Sequence, residues 1–331
     1  MKILSRHAIA LAVMMLATGS TTLALAQADA PLTLAPARAD AHALHNMMLG
    51  TARAGSRIVA VGAYGYIILS DDGGARYRQA EQVPVDSTLT SVSFVDDKQG
   101  WAAGHGGVIL HTVDGGKTWQ LQRSDTKVDQ PLFSIWFANA SEGWAAGLWS
   151  LLLHTRDGGK SWQQVKLPTA PGQQRGDLNL LHLFPGQNGA LYVAAEQGVL
   201  YRSTDGGQQW SALSTGSKAS LWSGVVTASG AIVVGGLGGK LLRSDDGGQH
   251  WQAIDSPTSG SITALRSQGN EVVASSLSGA LLVSEDEGRH WRIKASARDA
   301  LTTLELQDGR AERPLAYGKG GQAKLEAQAS Q

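Results

Sequence analysis

Six carboxylates recur along this chain in one setting, each beside a hydroxyl and just before glycine, where a cation or a sugar could in principle bind. Asp72, Asp114, Asp157, Asp205, Asp246 and Asp286 all stand in the pattern Ser/Thr-x-Asp-x-Gly-x-x-Trp/Tyr. The closing aromatic is Tyr77 in the first copy and Trp119, Trp162, Trp210, Trp251 and Trp291 in the others. The competing reading is a turn. Asp followed by Gly offers a carboxylate to nearby backbone N–H groups and a residue free to take positive φ, and the hydroxyl adds a second local bond. Six copies set around a ring face six directions and do not converge on one ligand, whereas a repeat architecture needs such a staple in every unit. These Asp boxes therefore read as structural.

Other residues with chemical potential are fewer. His42-Ala-Leu-His45-Asn-Met47-Met48 places imidazoles and thioethers close together, a donor set that suits copper in an oxidising compartment. Against it stands a solvated turn leading into a strand, so His42 and His45 are a weak metal candidate and no metal or other cofactor is expected. His111, His154, His250 and His290 sit at repeat positions and read as structural. Sialidase chemistry needs an arginine triad, a Tyr nucleophile with a Glu beside it and an acid/base Asp. The nearest arginine signature is Arg57-Ile-Val, without the expected proline, and Glu196 is the only carboxylate in the turns that would rim a site. A catalytic set is not legible, and the chain reads as a non-enzyme. An Asp-box glycoside hydrolase or carbohydrate-binding propeller is the first alternative, and a periplasmic copper-binding protein the second.

The elements that carry these residues follow from the spacing. The box aspartates are separated by 42, 43, 48, 41 and 40 residues, enough for four short strands per unit. Upstream of each box lies an apolar run such as Val108-Ile-Leu110 or Leu151-Leu-Leu153. Before each run comes a four-residue turn, from Gly62-Ala-Tyr-Gly65 in the first unit to Ser276-Leu-Ser-Gly279 in the sixth. Each unit thus reads strand A, turn, strand B, tight turn, strand C, Asp box, strand D. The units end near 80, 122, 165, 213, 254 and 294. A seventh, at 299–326, has strands A and B and the tight turn Gly318-Lys-Gly-Gly321, but counting onward puts Glu326 where the box hydroxyl should be. The prediction is an all-β fold, a seven-bladed β-propeller of four-stranded antiparallel blades. A strand at about 31–37, Pro31-Leu-Thr-Leu-Ala35 at its centre, is expected to complete the last blade and close the ring.

Composition bounds the rest. The chain has 331 residues, no net charge and no cysteine. Neutrality argues against nucleic acid as the main partner, and the missing cysteines exclude disulfides, thiolate metal sites and cysteine nucleophiles. Residues 1–26 read as a signal peptide: Lys2 and Arg6, then an apolar stretch from Ala8 to Ala17, then Ala24-Leu-Ala26 with cleavage before Gln27. A single propeller over 27–331, exported to the periplasm and monomeric, is the expectation.

The extended form Gly100-Trp-Ala-Ala-Gly104-x-x-Gly107-x-Ile-x-His-Thr112-x-Asp-Gly-Gly-Lys-Thr-Trp119, repeated from Gly143 to Trp162, resembles the photosystem II assembly and stability factor family. Those are seven-bladed propellers of the thylakoid lumen, and the family has members in bacteria without photosynthesis. The resemblance implies a scaffold that binds a membrane protein during assembly. A protein partner, a membrane complex or an exporter, is therefore expected on the face opposite the boxes. There the B–C turns and the connections between blades present Tyr64, His105, Trp149, Gln174, Arg175, Asp177, Glu196 and Lys319. Trp136 and Trp222 are placed on inner strands near the central channel.

Overall fold

The computed structural model describes residues 33–172, 176–307, 310–311 and 313–327; the expected signal peptide lies outside them. Seven antiparallel sheets form a seven-bladed propeller. Its inner strands are Met48–Ala54, Leu89–Phe94, Leu132–Phe137, Leu180–Pro185, Leu221–Val226, Ile262–Gln268 and Leu301–Leu306, each packed on the next and the last on the first. The outermost strands of the first six blades end at Gln79, Arg123, Gln164, Ser214, Ile254 and Ser296. Among the described residues no helix is long and apolar enough to cross a membrane.

Strand B lies inside its blade and between neighbouring blades, which is why past its first residue it reads as small or apolar residues rather than an alternation. Gly100–Gly104 and Gly143–Gly147 are buried at every position. The cores lie between blades: Trp101 of blade two stacks on Phe137 of blade three at a centroid distance of 3.6 Å. Near the channel the inner strands are stapled by side chains in two tiers. Thr90 and Thr263 donate to the carbonyls of Leu132 and Leu301 in the following blade (2.7 and 2.9 Å). One residue further along, Ser91, Ser134, His182 and Ser223 accept the N–H groups of Ile135, Leu183, Gly224 and Leu265 at 3.0–3.1 Å.

The closure differs from the expectation. No strand forms within residues 33–40, so blade seven is not completed from 31–37; Pro31 itself lies outside the described residues. Instead Leu34 and Ala37 pack on the core between blades one and two, and the Ala37 N–H donates to the Val83 carbonyl at 3.0 Å. Pro36 has no N–H, which leaves this stretch poorly suited to a ladder. Blade seven has three strands, Leu301–Leu306, Pro314–Gly318 and Gly321–Gln322. Glu326–Ala327, where the missing box was expected, pairs with the outer strand of blade six, making that sheet five-stranded.

The joint between blades seven and one is capped by the short 3-10 turn Ala41–His45, whose Ala43 is fully buried. A Cβ on Gly321 would lie 2.1 Å from the Leu44 carbonyl oxygen, so the turn presses directly on blade seven. Tyr77 and Tyr317 cross the same joint with their hydroxyls 2.6 Å apart.

Candidate partner-binding face

In the first six blades the tight turn between strands B and C is pinned to the chain entering strand A of its own blade. The N–H groups of Ala63, His105, Leu148, Glu196, Leu237 and Leu277 donate to the carbonyls of Met47, Thr88, Pro131, Asn179, Ser220 and Ser261 at 2.9–3.1 Å. Strand direction puts these turns and the connections between blades at one end of the barrel, and the Asp boxes at the other. The middle of the turn runs through the left-handed region: glycine fills it at Gly106 and Gly238 (φ 68° for both), but Tyr64, Trp149 and Gln197 adopt it at 57°, 53° and 57°. A side chain there costs about 1–2 kcal/mol. Tyr64 and Trp149 accept that strain and remain 63% and 53% exposed.

Seven large apolar side chains are exposed among the described residues: Tyr64, Val113, Leu121, Val128, Trp149, Leu237 and Leu277. Four of them stand on the B–C turns, at Tyr64, Trp149, Leu237 and Leu277, and Val128 lies in the connection between blades two and three. His105, Asp177 and Lys319 are also exposed, whereas Gln174 and Arg175 lie outside the described residues. Glu196 is not a free ligand. Its two carboxylate oxygens accept the Asn179 N–H and Nδ2 at 3.0 and 2.8 Å, and Asn179 in turn accepts the Trp149 N–H at 3.1 Å. Glu196 and Asn179 thus hold the Trp149 turn in place. Sequence reasoning missed Asn179, whose only signal is its position just ahead of strand A.

The channel inside this face encloses about 440 Å³ and is lined by all seven inner strands, including Trp136 and Trp222. Two further lining residues went unread in the sequence. The Arg266 guanidinium reaches across to the Thr51 carbonyl at 3.3 Å, with its Nε 4.0 Å from the Glu305 carboxylate. Glu305 is the one carboxylate among the described lining residues, so a glycosidase pair is not assembled there. Arg57, the nearest match to a sialidase arginine, is spent on Asp71 (2.5 Å) and the Gly115 carbonyl (2.9 Å). His42 and His45 lie within the closure turn, but Met48 is buried in the core, so the imidazoles and thioethers of that stretch do not gather into one site. No cluster of three or more His, Cys, Asp or Glu side chains placed to hold a metal occurs among the described residues.

The boxes at the opposite end are inter-blade joints. In each, the Ser or Thr hydroxyl donates to the Asp at 2.8–2.9 Å and accepts the N–H of the second box glycine at 2.8–3.0 Å. The indole N–H of Trp119, Trp162, Trp210, Trp251 and Trp291 donates to that glycine's carbonyl at 2.9–3.1 Å. The glycine then seats on the preceding blade: at Gly207 (φ 82°) a Cβ would fall 2.6 Å from the Trp144 indole nitrogen. Donors converging on Asp72, Asp157, Asp205 and Asp246 lower these carboxyls, Asp157 to about 2, and local hydrogen bonds hold Asp114 and Asp286 low against some burial.

These features define a seven-bladed Asp-box propeller with an apolar, turn-built face. Among known families, the Photosynthesis system II assembly factor YCF48 model matches residues 77–233. The photosystem II assembly protein Ycf48 of Thermosynechococcus vestitus is 39% identical over 136 residues, covering 41% of this chain and 38% of that protein. The chain thus aligns with well under half the length of that curated relative. Over the whole propeller the fold matches YCF48 bound to D1 peptide (TM-score 0.67, 21% identity, 86% of this chain and 95% of that one). It also matches YCF48 from Cyanidioschyzon merolae (TM-score 0.67, 16% identity, 88% and 98%). The extracellular domain of the one-component system BT4673 from B. thetaiotaomicron has the same fold at a TM-score of 0.64 and 12% identity, covering 85% of this chain and 40% of that one. The chain is a Ycf48-like propeller, similar to the photosystem II assembly factor family.

Proposed function

We propose that this protein is a non-catalytic, exported propeller that binds a protein partner with its turn face and assists a membrane complex during assembly. The observation that carries the reading is the pair Tyr64 and Trp149, exposed aromatic rings held at positive φ where equivalent turns use glycine. Strain of that kind persists where it serves a site, and exposed aromatic rings are the usual anchors of an interface. The likeness to YCF48, one structure of which holds a D1 peptide, supports a polypeptide as the ligand. The signal sequence over residues 1–26 supports export to the periplasm.

A pull-down from solubilised membranes tests the reading. Wild-type protein should recover a membrane partner, and the double variant Tyr64→Gly, Trp149→Gly should recover at least tenfold less, since losing two interface anchors costs about 2 kcal/mol or more. Glycine at these positions relieves backbone strain, so the variant should be no less stable than wild type. Undiminished recovery by the double variant would remove this face from the binding site.

A further inference from the structure

Two arginines occupy equivalent places in adjacent blades, and only one of them is paired. Arg202 and Arg243 each stand immediately before their blade's box serine, in Leu200-Tyr-Arg-Ser203 and Leu241-Leu-Arg-Ser244. Each guanidinium lies against the box of the next blade, Arg202 at Gly247 and Arg243 at Glu287. Arg243 has acceptors on two of its three nitrogens, and only its Nη2 lacks a hydrogen bond. Its Nε donates to the Glu287 carbonyl at 2.8 Å, it pairs with Asp245, and the Glu287 carboxylate lies 4.0 Å away. That carboxylate is fixed in turn by the N–H and hydroxyl of Ser229 (2.9 and 2.6 Å), in the turn joining the two inner strands of blade five. Glu287 holds φ at 58°, where the other five boxes have glycine.

One blade earlier the acceptors are gone. Thr204 stands in place of Asp245, Gly247 in place of Glu287, and Asn188 in place of Ser229. Neither carboxylate has a counterpart here, while the cation does. The Arg202 Nε is buried without a hydrogen-bond partner, and no ion pair to Arg202 occurs among the described residues. A guanidinium nitrogen left so bears its full desolvation cost. A cavity of about 190 Å³ opens against it, lined by Asn188, Tyr192, Arg202, Thr204, Val226 and Gly230 among others.

We propose that this cavity is a carboxylate-binding site, in which an external carboxylate fills the place that the Glu287 carboxylate occupies one blade on. A planar guanidinium matches a carboxylate through two parallel hydrogen bonds, and Thr204 and Asn188 supply further donors at the cavity wall. Carboxylate is favoured over phosphate because the twin site is neutralised by single carboxylates and presents one guanidinium. The ligand is either an acidic side chain of a bound polypeptide or a free amino dicarboxylate. The site lies at the box end of the barrel, away from the turn face, so it stands or falls separately from the partner face.

Calorimetric titration of the full chain with free glutamate, with a short Glu-containing peptide and with sulfate tests the proposal. Saturable binding of glutamate or peptide is expected, weakened at least about tenfold in Arg202→Met, as the loss of a charge-assisted pair implies. Thr204→Asp, on an exposed residue, restores the acceptor of the twin site and should weaken binding to a similar degree, which keeps the test open should Arg202→Met not fold. Tighter binding of the peptide assigns the site to acidic side chains, and equal affinities assign it to free carboxylates; either supports it. The absence of saturable carboxylate binding, affinity unchanged in both variants, or a preference for sulfate would overturn it.

Discussion

A histidine whose Nδ1 accepts a backbone N–H carries its proton on Nε2, so His182 is held neutral by the bond from Gly224. Burial, and secondarily the charge of Arg266, push its pKa down to about 3. The unfolded chain then binds a proton between pH 6.5 and 3 that the folded one refuses. The stability His182 permits is complete above pH 6.5 and is lost as pH falls towards 3. Serine fills this position in three other blades and makes the same bond without titrating. His182→Ser should therefore keep its stability at pH 7 and lose less between pH 7 and 5 than wild type, by on the order of 1–2 kcal/mol in urea unfolding. Equal losses would mean that the folded ring accepts the proton after all. The box carboxylates add a separate acid limb of the same sign: their lowered pKa values stabilise the fold above about pH 4, and that contribution fades as pH falls towards 2.

The Asp box is an element in its own right: a turn that staples itself and then seats on the blade before it. Its tryptophans are unequal in what they seal. Trp119 is 2% exposed and meets Phe94 edge-on at 6.1 Å, whereas Trp251 is only half-buried. Trp119→Ala is expected to cost about 3–5 kcal/mol in urea unfolding, and Trp251→Ala clearly less. Equal losses would show that the indole hydrogen bond to the box glycine, common to both, outweighs burial. Box and strand order were legible because the device is local: hydroxyl, carboxylate and glycine sit within five residues, so spacing alone fixes the register. The partners across blades were not. Nothing near Trp144 in the chain announces that Gly207 of the next blade rests on its indole, and nothing beside Arg266 announces Thr51. Such contacts join residues tens to hundreds of positions apart, and only the closed ring brings them together.

At the scale of the molecule, the question is what holds the ring shut where blade seven meets blade one. Propellers commonly close by sharing one blade between the two chain ends, and the alternating stretch after Pro31 suited that role on pattern alone. Pattern does not separate a strand from a segment that rests a few apolar side chains on a neighbouring surface, as Leu34 and Ala37 do on blades one and two. Closure rests instead on the inner contacts. Thr302 donates to the Met48 carbonyl, Thr51 donates to the Leu304 carbonyl at 2.8 Å, and Arg53 donates to the Leu306 carbonyl at 3.1 Å. The Ala41–His45 turn caps the joint, tied back by the Tyr66 hydroxyl donating to Asp40 at 2.8 Å. Beginning the chain at Asn46 would strip this cap, exposing Met48 and Tyr317, both now fully buried. Of the described residues, ending it at Leu325 would remove the two-residue strand Glu326–Ala327 from the outer edge of blade six. The first truncation should lower the unfolding midpoint by several degrees, on the scale of about 2–4 °C per kcal/mol, and raise amide exchange in Met48–Ala54 and Leu301–Leu306. The second should leave both almost unchanged. The reverse ranking would place the clasp at the C-terminal strand, and with it the point at which the propeller opens first.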